Sequence, residues 1–116
     1  MSRMYQTNMP YNKEKWFQFS VMEQMGNIGS DVGRAILWKN KRNLEYSRMA
    51  FESAEELFDL ILSDPRWLEM KGRLKEIRMA KNVVYDFLFG ENQYNETGEK
   101  LMKYFDEFTL AARKDK

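Results

Sequence analysis

Apolar residues recur along most of this chain at steps of three and four, the spacing that gathers side chains on one face of an α-helix. Val21, Met25, Ile28, Val32, Ala35 and Ile36 form the first series and predict a long helix from about Lys13 to Lys39. The polar run Asn40-Lys41-Arg42-Asn43 then reads as a turn. Leu44, Ser47, Phe51, Ala54, Phe58 and Ile61 alternate the two steps, the seam expected between packed helices, and predict a second helix over Leu44–Leu62. Asp64 is placed to cap a third helix whose first position Pro65 suits, because no amide hydrogen is needed there. That helix runs to about Phe89 on Leu74, Ile77, Val84, Phe87 and Leu88, with Gly72 able to bend its first turns. Gly90 is suited to a left-handed stop. A last helix starts near Asn95 or Thr97 and carries Leu101, Tyr104, Phe105, Phe108 and Ala111. No alternating strand pattern competes, so the fold class is all-α: an antiparallel up-and-down four-helix bundle with short connections. Residues 1–12 read as an irregular leader and 113–116 as a fraying tail.

Composition narrows the chemistry. The chain has 116 residues, 43% hydrophobic and 32% charged, which fits one globular domain over 1–116. It has no Cys and no His, so disulfides, thiolate nucleophiles, the Ser-His dyad and the commonest metal ligand are all excluded. Nothing in the sequence calls for a cofactor. No apolar run approaches the roughly 18 residues of a membrane span, and Met1 to Pro10 lacks the form of a signal peptide, so the expected setting is the cytoplasm, away from membranes. With 19 basic and 18 acidic residues the net charge is +1, and any nucleic-acid contact must come from a local patch.

Four features stand out. Gly26, Gly29, Ser30 and Gly33 share one side of the first helix and make a groove for a second backbone, either inside the bundle or at a subunit or ligand contact. Glu56 and Asp59 lie three apart on one helix face, as a Mg²⁺-binding pair does. This pair resembles half of the site of the all-helical nucleotide pyrophosphohydrolases related to the MazG family, in which an ExxD pair faces an ExxE pair. Here Glu23 is followed three residues on by Gly26, and Asp31 by Arg34, so that reading leaves only Glu23, Glu56 and Asp59 as candidate ligands. Basic residues collect at the first turn, Lys39, Lys41 and Arg42 with Arg34 and Arg48 in reach, and in a row on the third helix, Lys71, Lys75, Arg78 and Lys81. Phosphate contact and a solvated, partly ion-paired face are both open to them. Finally, Trp16, Phe17 and Phe19 point in different directions around a helix, as do Tyr85, Phe87, Phe89 and Tyr94, which places rings at bundle ends or between subunits.

The stretch Asn27-Ile28, Ser30-Asp31, Gly33-Arg34, a polar turn, then Phe51, Ser53-Ala54 and Glu56-Leu57 resembles a family of small prokaryotic four-helix bundles. That family includes the proteins encoded by ribosomal-RNA intervening sequences and the accessory protein (Avd) of diversity-generating retroelements. The resemblance implies a non-enzymatic homo-oligomer, pentameric in the accessory proteins, that binds a reverse transcriptase and RNA through basic surface. On that footing Arg34, Lys39, Lys41, Arg42 and Arg48 are the expected phosphate contacts.

Overall fold

The computed structural model describes residues 13–69 and 71–114, and the expected leader lies outside them. Its helices are α1 (Lys13–Gln18), α2 (Val21–Asn40), α3 (Leu44–Leu62), α4 (Pro65–Leu68), α5 (Lys71–Phe89) and α6 (Gly98–Lys114). The four long ones form an all-α bundle. No described helix is long and apolar enough to cross a membrane.

Two long helices expected from the periodicity are each broken. The first breaks at Phe19–Ser20, where the Ser20 hydroxyl accepts from the Glu23 amide at 3.1 Å and the Glu23 carboxylate accepts from the Ser20 amide at 2.9 Å. This reciprocal cap satisfies amides that a helix start leaves unpaired, so a new helix begins there at little cost. The third breaks after Leu68, just ahead of Gly72, a residue that weakens helix formation. The break at Phe19 also settles the directions of the first rings. Trp16 is fully buried and meets Phe19 edge-on at 5.8 Å, while Phe17 and Phe19 pack on the core from its margin.

Helix α2 is the centre of the bundle and approaches α3 and α6 closely, whereas α5 is held mainly by α3. Small residues make that closeness possible. On the α3 side Ala35, Ala50, Ala54 and Ser47 are all buried, and the Ser47 hydroxyl donates to the Ala35 carbonyl at 2.7 Å. On the α6 side a Cβ placed on Gly29 would lie 2.7 Å from the Cβ of Phe105, and one on Gly26 would lie 2.9 Å from the Thr109 hydroxyl. Around this axis Phe58, Phe105, Met25, Ile28, Ile61 and Ile77 are almost completely shielded, each contributing about 1.5–3 kcal/mol of burial. Leu44, expected in the α2–α3 seam, is instead 57% exposed, because it opens α3 at the solvent end of the turn.

A buried polar anchor fastens the opposite end. Asp64 caps α4 by accepting from the Arg66 amide at 2.9 Å, pairs with the Arg66 guanidinium at 2.7 Å and accepts from Gln24 of α2 at 3.3 Å. Gln24 also donates to the Trp16 carbonyl at 3.1 Å, and Arg66 donates to the Phe19 carbonyl at 3.0 Å. One carboxylate thus joins α1, α2, and the corner between α3 and α4. Burial opposes its ionisation, but the hydrogen bonds from Arg66 and Gln24 outweigh that and hold the carboxyl below its usual range.

Because the folded-state value is depressed, the stabilisation from Asp64 is complete above the unfolded carboxyl's value of about 3.9 and is lost as pH falls through the lower folded value. Denaturant titrations below about pH 4 should therefore show falling stability in the native chain and a shallower fall in Asp64→Asn. Equal slopes would remove Asp64 from the acid response. Gly29→Ala should lower stability by about 1–2 kcal/mol despite better helix propensity, since the Phe105 Cβ is fixed to the backbone of α6. Gly72→Ala, with nothing within 4 Å of the new methyl, should raise it by up to about 1 kcal/mol in the same assay.

Candidate nucleic-acid interface at the α2–α3 turn

The turn between α2 and α3 is built by a paired closure of the first helix. The Asn43 amide donates to the Trp38 carbonyl and the Arg42 amide to the Lys39 carbonyl, both at 2.9 Å. Such a closure needs a left-handed residue at the position Arg42 occupies, and Arg42 has φ 63°. Glycine is the usual occupant because a side chain there meets its own backbone. Asn43 then caps α3 by accepting from the Tyr46 amide at 3.0 Å. At the other connection at this end, from α5 to α6, the left-handed residues are Asn92 and Asn95, and Gly90 is not among them. Gly90 is required there for room: a Cβ would stand 3.0 Å from the Asp86 carbonyl that its own amide bonds.

Most of the basic residues expected at this end sit on aromatic rings. The Lys41 ammonium lies 5.3 Å from the centre of the Trp38 ring, Lys39 lies 5.4 Å from Phe87, and the Arg48 guanidinium lies 4.5 Å from Phe89. The rings are themselves packed. Tyr46 stands perpendicular to Trp38 at 4.8 Å, and Tyr85 and Phe51 flank Phe89 at 5.4 and 5.7 Å. Among the described residues none of Lys39, Lys41, Arg42 and Arg48 is in an ion pair. Cations over ring faces keep their charge for a further anion, because the ring contributes only a weak attraction of about 0.5–1 kcal/mol at exposed sites.

Arg34 differs from the other four. It pairs with the buried Asp31 of its own helix, whose second oxygen accepts from Ser53 of α3 at 2.8 Å. Its charge neutralises a buried carboxylate at the α2–α3 seam, although the arginine side chain itself is mostly exposed. On α5, Lys81 pairs with Asp59 at 3.1 Å and Glu55 at 3.8 Å, while Lys75 and Arg78 are exposed and Arg73, not a lysine of the row, pairs with Glu76 at 3.2 Å. The side chain of Lys71 lies outside the described residues.

The carboxylates of the metal reading do not assemble. Glu23 caps α2, Asp59 is paired with Lys81, and Glu56 is half-buried on α3. Among the described residues no group of three or more acidic side chains is placed to hold a metal ion. The glycine side of α2 is occupied by α6 at Gly29 and Gly33, the latter facing the Met102 methyl. Gly26 meets the Thr109 hydroxyl of α6, and beside it and Ser30 the residues Glu23, Asn27, Thr109 and Arg113 surround a hollow of about 340 Å³.

Sequence periodicity does not single out Trp38 or Tyr46, which bracket the turn and carry its ring surface. Their signal is local: a tryptophan three residues before a lysine, and a tyrosine just after the turn that reverses the chain. Searches for relatives return no matching family model, no matching curated protein and no matching solved structure.

Relieving the left-handed strain should separate stability from charge at this turn. Arg42→Gly is expected to stabilise the fold by about 0.5–1 kcal/mol, measured by denaturant midpoint, while Lys41→Ala leaves the midpoint unchanged. A destabilised Arg42→Gly would show that the arginine side chain holds the turn.

Proposed function

We propose that this chain is a non-enzymatic binding protein that engages the phosphate backbone of a nucleic acid with Lys39, Lys41, Arg42 and Arg48, serving a nucleic-acid-processing enzyme such as a retroelement reverse transcriptase. The observation that carries this reading is four cations gathered at one end of the bundle, three of them over aromatic rings, with no carboxylate in an ion pair with them among the described residues. A chain with a net charge of +1 holds no general attraction for polyanions, so binding needs a local cluster of cations such as this one. The left-handed Arg42 supports the same reading. A position that favours glycine keeps a cation at the apex of the turn, and residues held against their backbone preference concentrate at functional sites. The resemblance of the Asn27–Leu62 stretch to the accessory bundles points to the same class of partner.

Reversing Lys41 and Arg42 together to Glu tests it. Both are exposed, so the thermal midpoint should stay unchanged. Affinity for RNA at low salt should fall about tenfold or more. The slope of log affinity against log salt should become shallower by about 0.7 for each single-strand phosphate that the variant no longer neutralises. Unaltered affinity and slope would exclude the turn as the phosphate site.

A further inference from the structure

The four cations explain attraction to a phosphate chain but not why each of three sits over a ring. Phosphate contact alone needs no aromatic surface, and the tyrosines packed beside two of these rings lie open: Tyr46, against Trp38, is 46% exposed and Tyr85, against Phe89, is 49% exposed. The end of the bundle therefore carries two stations of the same design. In one, Lys41 and the Trp38–Tyr46 pair lie together; in the other, Arg48 and the Phe89–Tyr85 pair do. Each offers a flat ring for a base beside a cation for its phosphate.

We infer that this end recognises unpaired nucleotides, with bases stacking on Tyr46 and Tyr85 while Lys41 and Arg48 hold the neighbouring phosphates. The inference rests on the phosphate-binding reading and adds the state of the strand. In a duplex the base faces are covered by their neighbours, so rings at the surface gain nothing from it; a single strand presents every face. The rings and arginines would suit a protein partner as well, but lysines are depleted at the centres of protein interfaces, and two of the four cations here are lysines. Stacking on tyrosine reads no base edge, so the preference is for single strands in general.

The test uses the full chain and a fluorescein-labelled oligouridylate of about a dozen nucleotides, compared by anisotropy with an RNA duplex of equal length at two salt concentrations. The single strand should bind tighter than the duplex at the same salt. Tyr46→Ala should weaken strand binding by about five-fold to a hundred-fold without changing the salt slope, because stacking releases no counterions, and Tyr46→Phe should retain it. Tyr85→Ala serves as the second variant should loss of the Tyr46 ring disturb Trp38. If strand and duplex bind equally and neither alanine variant alters affinity, the stacking inference falls while phosphate binding stands. If neither nucleic acid binds, both fall.

Discussion

A Cβ on Gly29 of α2 would overlap the Cβ of Phe105, and on the opposite side of the same helix Ser47 reaches the main-chain carbonyl of Ala35. A helix approached this closely on two faces can neither rotate nor slide without a clash or a broken buried hydrogen bond. The glycines cost helix propensity, about 1 kcal/mol each against alanine, and that cost is offset by the ring of Phe105 and its neighbours being withdrawn from water against bare backbone. Helix α5 has no such groove to enter. It meets the bundle through larger side chains, and towards α6 it is held by bridges: Tyr104 donates to Glu76 at 2.9 Å, and Arg73 lies 5.7 Å from the ring of Phe108. Burial and then the Glu76 carboxylate push the Tyr104 hydroxyl up, so it stays a donor across the ordinary pH range. Beside these bridges an apolar groove of about 240 Å³ remains between the two helices.

Charge is distributed unequally along the bundle axis. Asp64 gathers the buried Gln24 and the more exposed Arg66 into one network at one end, and removing the carboxylate would take an acceptor from both, a loss that costs most for the buried amide. Midway, Asp31 is satisfied by Arg34 and Ser53. These two buried acids engage the arginines nearest them. At the α2–α3 end the pattern reverses: the cations rest on rings, the backbone takes a left-handed turn at an arginine, and no buried acid calls for the positive charges. Polar anchoring is concentrated at the Asp64 end and ring-stacked cations at the turn, and the two ends are joined by the closely gripped α2.

Three polar residues of the α2–α3 stretch acquire a physical reason in this arrangement. Asp31, Arg34 and Ser53, well separated in sequence, form one hydrogen-bonded unit across the α2–α3 seam. A motif of this kind marks how two helices pack, and it is silent on what the packed bundle binds. The candidate binding surface lies at the turn that the motif leaves unspecified.

The three- and four-residue spacing of apolar side chains was enough to determine the all-α class, four helical stretches and most of the core, though not the breaks at Phe19–Ser20 and after Leu68, because helix geometry and hydrophobic burial act on near neighbours in the chain. The reciprocal Ser20–Glu23 cap is equally local, but the apolar period runs straight through it and conceals the break. The cluster of Lys39, Lys41, Arg42 and Arg48 could be read from the turn; that Arg34 is engaged elsewhere could not, because its partner's burial and the Ser53 hydroxyl are set by how α2 meets α3. Likewise Glu56 and Asp59 have the spacing of a metal pair, but whether other carboxylates face them is a matter of helix rotation. Which cations keep free charge, which rings lie beneath them and where the glycine groove is filled were decided only by tertiary structure, since each depends on side chains brought from different helices to within a few ångströms.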